Sequence, residues 1–385
     1  MFSRRLAAGL QPNRLALAVD QARVAGRLRI DLTTTNPTAV GLPYPAGMTT
    51  ALADARGLVY EPAPFGTAEA RAAVAAFTGL PADRLVLTAS TSEAYGFLFK
   101  LLCDPGDAIL APRPSYPLFD LLSALEGVEL TAYRLDADGG WCIDRSSLER
   151  ALSSRTRAVI VVSPNNPTGS RLRAADREWL VDLARRYRLA LVSDEVFADY
   201  LFADRPDAAS LAGESRVLTF TLGGLSKAVG LPQMKLAWTG ISGPDDDVRE
   251  ALARLEIIAD SYLSVAAPVQ VAAGRLLEAG AAVRRSIRLR LERNLQALRA
   301  VVAAMPALTL YEPEGGWSAV VRVPAIRSEE EWVIGLLDEY GVLVHPGWFF
   351  DLDTGTHLVV SLLPPPETFD AGVRSIADAA ARWGA

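Results

Sequence analysis

Histidine, cysteine and methionine are scarce in this chain of 385 residues, which contains two, two and four of them. The two cysteines, Cys103 and Cys142, are too few for a disulfide framework and lack the spacing of metal ligands. The sequence therefore predicts small, buried thiols in a reducing cytoplasm and no metal site. The two histidines, His345 and His357, are predicted to be structural.

The chain also lacks a basic excess and a long apolar run. Its formal net charge is −6, which argues against nucleic acid or an anionic membrane as a partner, since both need a basic face. No stretch approaches the ~20 apolar residues of a membrane span. Met1 to Leu10 has no apolar core of the kind found in signal peptides. At 50% hydrophobic residues, the chain is long enough for a cytoplasmic enzyme of two domains.

Three polar segments stand where short apolar runs end. The runs read as neighbouring strands of a parallel sheet, with a helical stretch, 173–187, between the first two. Open parallel sheets bind ligands at the carboxyl ends of their strands, so Asn166, Asp194 and Lys227 should share one crevice. The strands and the segments that follow them are 158–162 with Ser-Pro-Asn-Asn-Pro-Thr-Gly at 163–169, 189–192 with Ser-Asp-Glu at 193–195, and 217–221 with Leu-Ser-Lys at 225–227.

An amide, a carboxylate and a lysine in one crevice suit the chemistry of pyridoxal 5'-phosphate. The Lys227 amine can form a Schiff base with the cofactor aldehyde. Asp194 can keep the pyridine nitrogen protonated, so that the ring accepts electrons, and Asn166 can donate to the phenolic oxygen. The hydroxyls of Ser90, Thr91 and Ser92 stand after a predicted strand, 85–88, at the start of a helix, where a phosphate is held well.

In order and approximate spacing, these segments resemble the class I/II aminotransferases of pyridoxal-phosphate fold type I, the aspartate aminotransferase-like superfamily. The resemblance implies an α/β fold: a large domain with a mostly parallel seven-stranded sheet between helices, and a small α+β domain. We expect the large domain at residues 44–280 and the small domain at residues 1–43 and 281–385. A helix over 281–305 is predicted to bridge them.

The same resemblance assigns three more residues to the cofactor. Tyr116 matches the aromatic residue that stacks on the cofactor ring, and Lys235 stands where the family has a phosphate-binding arginine. Tyr60 matches a tyrosine that reaches the phosphate of the neighbouring subunit. The resemblance therefore implies a homodimer with shared active sites.

Several positions depart from the family pattern. The tyrosine expected three residues after the cofactor aspartate is Phe197, and the serine expected three before the lysine is Gly224. Val359 stands where the family has an arginine that clamps the substrate α-carboxylate. Strand alternation puts Trp317 and Arg322 on opposite faces, and Trp317 is predicted to face the crevice, which leaves Arg322 a weak candidate for the missing clamp.

Three functions are compatible with the sequence. The first is transfer of an amino group between an amine or amino acid and a keto acid, with Lys227 carrying the proton. The second is another reaction on the same scaffold, such as carbon–sulfur β-elimination or decarboxylation. The third is a non-catalytic sensor that binds the cofactor, although no helix-turn-helix pattern is seen.

Overall fold

The computed structural model describes residues 3, 5–6, 11–202 and 204–384. Almost all of the stretch from Met1 to Leu10, on which the signal-peptide argument rests, lies outside the described residues. Within the described part of the chain, no helix has both the length and the apolar composition needed to cross a membrane.

The N-terminal segment contributes one helix and one short strand. Helix α1 (Arg14–Val24) is capped by Asn13, whose side chain accepts from the backbone N–H of Ala16. Strand β1 (Ile30–Asp31) pairs in parallel with residues 342–343.

The next segment of the chain alternates helices and strands around one sheet. In chain order its elements are α2 (Ala68–Thr78), β2 (Leu85–Thr88), α3 (Thr91–Leu102), β3 (Ala108–Arg113), α4 (Leu118–Glu126), β4 (Glu129–Asp136), β5 (Cys142–Ile143), α5 (Arg145–Ala151), β6 (Thr156–Val162), α6 (Ala174–Tyr187), β7 (Ala190–Asp194), β8 (Thr219–Gly224), α7 (Leu225–Ala228) and β9 (Ala237–Ser242).

These strands form a single sheet in the order β2-β9-β8-β7-β6-β3-β4-β5. The central neighbours from β4 to β8 run parallel, whereas β9, β2 and β5 pair antiparallel. Apolar clusters cover both faces of the sheet, which is why its central strands are continuous apolar runs. The predicted mostly parallel sheet between helices is confirmed. In the described residues it has eight strands rather than seven, because β5 is a two-residue strand that the sequence does not distinguish from a turn.

The described C-terminal part contains four α-helices and a small antiparallel sheet, in the order β10-β11-β14-β13. Residues 342–343 pair with β1, whereas residues 345–346 pair with residues 358–359 of the small sheet. The elements are α8 (Asp245–Asp260), α9 (Ala267–Ala303), β10 (Thr309–Tyr311), β11 (Ser318–Arg322), α10 (Glu329–Gly335) with a π-helical turn at Leu336–Tyr340, β12 (Val342–Leu343), β13 (His345–Pro346), β14 (His357–Ser361) and α11 (Pro366–Gly384).

Helix α9 begins 14 residues earlier than the predicted bridging helix at 281–305. Gly280 interrupts the helical pattern of the sequence, but in the structure it lies within α9 and allows close packing. A Cβ at Gly280 would lie 2.4 Å from the Cβ of Val229, so the missing side chain lets the helix approach the loop after Lys227. The predicted domain boundary at residue 280 therefore falls inside a continuous helix, and the division into two domains stays a prediction.

Candidate active site

The three polar segments converge because their strands are adjacent. Strands β6, β7 and β8 pair in parallel, so their carboxyl ends share one edge of the sheet. Asn166 lies just beyond β6, Asp194 is the last residue of β7, and Lys227 lies in the short helix that follows β8. The predicted crevice is thus assembled by strand order alone.

Asp194 is buried and lacks a cationic partner. Its Oδ2 accepts a hydrogen bond from the hydroxyl of Tyr95 at 2.9 Å, and its Oδ1 accepts from the backbone N–H of Val196 at 3.2 Å. Among the described residues, no lysine, arginine or histidine nitrogen lies within 4.0 Å of this carboxylate. Burial raises the pKa of Asp194 to about 6, against the lowering effect of those hydrogen bonds. A buried acid of this kind is stabilised by a bound cation.

Tyr95 was not identified by the sequence analysis. It lies in α3, one turn after Ser92, and its side chain is buried. Burial, with the nearby charge of Asp194, raises the pKa of Tyr95 well above its usual value. Its phenol therefore stays a hydrogen-bond donor to the carboxylate. The helix that begins at the predicted phosphate cradle, Ser90 to Ser92, thus also positions the side chain that donates to Asp194.

Lys227 is surrounded by aromatic side chains. Its Nζ lies 4.6 Å from the ring centroid of Trp317 and 5.5 Å from that of Phe197. The hydroxyl of Tyr200 donates to the backbone carbonyl of Lys227 at 2.6 Å. Burial lowers the pKa of Lys227 to about 8, with an opposing contribution from Asp194. A fraction of the amine is therefore unprotonated near neutral pH and can act as a nucleophile or a base.

The two neighbouring asparagines have different environments. Asn165 is buried and structural: its Nδ2 donates to the carbonyl of Pro114 at 3.2 Å, and its Oδ1 accepts from Thr168. Asn166 is half-buried, and the side-chain contact described for it is the hydroxyl of Ser318, 3.4 Å from its Oδ1. Its amide N–H groups are therefore left for a ligand. Ser318 is a second residue that the sequence analysis missed.

The phosphate cradle has the predicted local structure. Ser90 is the N-cap of α3, with its hydroxyl 3.2 Å from the backbone nitrogen of Glu93, and Thr91 and Ser92 open the helix. All three are half-buried. Lys235 is exposed and has a left-handed backbone conformation, with φ of 51°, two residues before β9. Hydroxyls and free N–H groups at this helix start suit an anion.

The two tyrosines taken from the resemblance are both exposed. Tyr116, in the turn between β3 and α4, is 46% exposed, and Tyr60 is 74% exposed. Tyr60 lines a small cavity together with Leu263 and Ser264, which precede α9.

At the positions that depart from the family, the structure shows what replaces the expected side chain. Val359 is 1% exposed and packs in an apolar cluster with Trp141, Phe350 and Leu352. His345 pairs with it across the sheet, but burial lowers the pKa of His345 to about 4, so it supplies no cation there at neutral pH.

Arg322 does not approach Lys227. It is exposed at the far end of β11 and donates to the Thr309 hydroxyl at 3.3 Å. Gly224 has little room for a side chain, since a Cβ built on it would lie 3.1 Å from the Cβ of Ala237. The serine expected at 224 would therefore crowd β9.

Comparison with known proteins shows the family of the chain. The sequence profile of the aminotransferase class I and II family matches residues 38–376. Alanine aminotransferase of Mycobacterium tuberculosis (strain H37Rv) is 30% identical over 301 residues, which cover 76% of this chain and 69% of that protein. Glutamate-pyruvate aminotransferase AlaA of Escherichia coli K12 is 26% identical over 298 residues, covering 74% and 72%.

The fold is shared with solved structures. An alanine aminotransferase from Pyrococcus furiosus superposes with a TM-score of 0.87 at 23% identity, over 99% of this chain and 100% of that one. An Escherichia coli aminotransferase also gives a TM-score of 0.87, at 20% identity, over 99% and 98%. The chain belongs to the class I and II aminotransferase family and is an aminotransferase. Members of this family use pyridoxal phosphate and act on amino acids and keto acids.

The residues of the crevice fit that cofactor. Asp194 offers a buried carboxylate without a cation, as a protonated pyridine nitrogen requires. The start of α3 offers hydroxyls and N–H groups for a phosphate. The buried indole N–H of Trp317, beside Lys227, has no hydrogen-bond partner among the described residues, and buried donors without a partner are uncommon in native proteins.

Proposed function

We propose that this chain binds pyridoxal 5'-phosphate through Lys227 and transfers an amino group between an amine or amino acid and a keto acid. The observation that carries the proposal is the buried carboxylate of Asp194, which has no cation within 4.0 Å among the described residues, at the same sheet edge as a lysine of lowered pKa. Of the functions compatible with the sequence, this is the one that the named relatives support.

The proposed cofactor contacts are those of the crevice. Asp194, held by Tyr95, would face the ring nitrogen, and Asn166 would face the phenolic oxygen. Tyr116 would stack on the ring. The phosphate would lie against Ser90, Thr91, Ser92 and Lys235.

Mechanistically, the bound cofactor would supply an aldehyde for the amine and a ring that withdraws electrons. Lys227, once its amine is free, would take the proton from the substrate Cα and deliver it to the cofactor C4′, because a fraction of the amine is unprotonated at neutral pH. Asp194 keeps a proton at the ring nitrogen while its own burial strengthens that interaction. The aromatic rings of Phe197 and Trp317 exclude water around the amine.

A half-reaction tests this proposal. The purified protein is loaded with pyridoxal phosphate and mixed with a panel of amines and amino acids. A lasting shift of the cofactor to its amine form, reversed by a keto acid, is expected. Release of ammonia and a keto acid with the aldehyde form restored would contradict amino transfer and favour elimination.

The amino donor is a separate part of the proposal. With Val359 in an apolar cluster and His345 neutral, we propose that the usual clamp for an α-carboxylate is not rebuilt around residue 359. The donor then either lacks that carboxylate or has it held by another cation. Poor conversion by aspartate and glutamate is expected. Full conversion within seconds by saturating glutamate, a substrate named for the relative AlaA, would contradict it.

The proposed assembly is a homodimer with shared active sites. It is supported by an exposed apolar strip, residues 58–60, in which Leu58 is 90%, Val59 66% and Tyr60 74% exposed. Such a contiguous strip is unusual on an uncovered surface. Free thiols at Cys103 and Cys142 accord with the predicted cytoplasmic location.

Mixed subunits test shared sites. Tyr60→Ala and Lys227→Ala proteins are each expected to have little activity, but a hybrid dimer has one site with both residues intact. After random exchange of subunits, about a quarter of the wild-type activity should return. No recovery in a mixture shown by mass spectrometry to contain hybrids would mean that Tyr60 does not serve the partner's site.

A further inference from the structure

The aromatic residues around Lys227 form one rigid group. Trp317 lies edge-on to Phe197, with ring centroids 5.5 Å apart at 62°, and edge-on to Tyr200, 5.3 Å apart at 68°. Phe197, Tyr200 and Trp317 are all buried, and Trp317 is only 1% exposed. Edge-to-face pairs of this geometry are favourable, so the three rings fix one another.

One ring contacts the backbone of the lysine, and the other two lie beside its amine. Tyr200 holds its backbone carbonyl through a hydrogen bond of 2.6 Å. The ring of Trp317 lies closest to Nζ, at 4.6 Å, and that of Phe197 follows at 5.5 Å. Among the described residues, Nζ has no hydrogen-bond acceptor and no carboxylate within 4.0 Å. The rings are therefore the groups that set the position of the amine.

We infer that Trp317 and Phe197 form a seat for the Lys227 amine when it is free of the cofactor, and that Trp317 is a positioning residue for its proton transfer. The inference rests on the proposed function of Lys227. It also gives the departure at residue 197 a role, because a phenylalanine presents only a ring to the amine. A lysine ammonium is attracted to the face of an aromatic ring, most strongly to tryptophan.

The chain is well suited to a direct test, since it has only three lysines, Lys100, Lys227 and Lys235. In the cofactor-free protein, the pH dependence of labelling by trinitrobenzenesulfonate is followed for each lysine by mass spectrometry. Replacing Trp317 by leucine removes the ring but keeps an apolar side chain. The labelling midpoint of Lys227 should fall by about one pH unit, while those of Lys100 and Lys235 stay unchanged.

Trp317→Phe is the matched control, because it retains a ring face and should keep most of the wild-type midpoint. If Trp317→Leu does not fold, as judged by near-ultraviolet circular dichroism, Phe197→Leu serves in its place, with a smaller shift expected from the greater distance. An unchanged or raised midpoint in a folded leucine variant would overturn the seat.

The positioning role has a second readout. With the loaded enzyme and an α-deuterated amino donor, Trp317→Leu should increase the isotope effect on the half-reaction, because a misplaced amine slows proton transfer more than binding. An unchanged isotope effect would overturn the positioning role. A cofactor attached to Lys100 or Lys235 would instead contradict the proposed role of Lys227 in cofactor binding. The labelling result on the cofactor-free protein would remain a valid test of the position of the Lys227 amine.

Discussion

The buried carboxylate of Asp194 should make the cofactor-free protein less stable than it could be. We consider the replacement Asp194→Asn, which keeps the size of the side chain and its ability to accept from Tyr95. The substitution removes the capacity for charge and also leaves one acceptor oxygen in place of two, so the backbone N–H of Val196 loses its side-chain partner. It should abolish turnover, because a neutral pyridine ring is a poor electron acceptor, and yet it should stabilise the fold.

The magnitude follows from the pKa of Asp194, which burial raises from 3.8 to about 6. The folded protein therefore binds this proton more tightly than the unfolded chain, so stability falls as the pH rises from about 4 to about 6. A difference of about two pH units corresponds to roughly 3 kcal/mol of unfolding free energy above pH 6. Asp194→Asn should lack this loss.

Urea denaturation of the cofactor-free proteins at pH 4.5 and pH 8 measures the effect. The variant should be more stable than the wild type by only about 1 kcal/mol at the lower pH, where most of the Asp194 carboxyl is still protonated in the folded protein, and by about 3 kcal/mol at the higher pH. Asp176→Asn is the matched control. That buried aspartate is paired with Arg145 at 2.8 Å, so losing its charge should destabilise the fold at pH 8.

A variant at residue 194 that is no more stable than the wild type at pH 8 would refute the reasoning. It would mean that the carboxylate already has a compensating partner in the cofactor-free protein. The crevice would then not be prepared for a cationic ring.

Three further predictions concern single side chains. Tyr95→Phe removes the donor to Asp194 and should weaken pyridoxal phosphate binding at pH 7. Tyr133→Phe is the control and should not weaken binding, although it loses an equally buried hydrogen bond to the carbonyl of Ile160. Equal equilibrium dissociation constants for the two variants would count against the role of Tyr95. Phe197→Tyr should lower the pH at which the cofactor's Schiff-base absorbance changes, because a second donor to the phenolic oxygen makes the imine proton easier to lose. A raised midpoint in a spectrophotometric titration would contradict this. Val359→Arg should lower the free energy of unfolding by about 3 kcal/mol or more, because it buries an unpaired charge in an apolar cluster. It should not improve activity on α-amino acids. A stable variant with a lowered KM for alanine would contradict this and show that the cluster can open.

The ends of the strands were predictable from the sequence. Asn166, Asp194 and Lys227 each follow a continuous apolar run. Such runs are expected for parallel strands, because both faces of these strands are buried and need apolar side chains. Strand adjacency then brings the three residues to one edge. The N-terminus of α3 was equally readable, since the hydroxyl residues stand just after β2.

The support around these residues was not predictable. Tyr95 lies inside an amphipathic helix, and its contact with Asp194 depends on how α3 packs against the sheet. Ser318 reaches Asn166 from β11, which is 152 residues away in the chain. Such contacts across long sequence separations leave no periodic signal.

The sequence showed that Val359 replaces the expected arginine, but it did not show what surrounds the valine. Only the structure shows that Trp141 and Phe350 fill the space beside it. Likewise, the sequence showed Phe197 as a lost hydroxyl, whereas the structure shows its ring beside the lysine amine. In both cases the neighbours come from distant segments.

The most direct test of the account is the covalent attachment of the cofactor. Pyridoxal phosphate is added to the protein, borohydride fixes the Schiff base, and the modified peptide is identified by mass spectrometry. The account predicts a single adduct on Lys227 and none in Lys227→Ala. An adduct on Lys100 or Lys235 in the wild-type protein would contradict it.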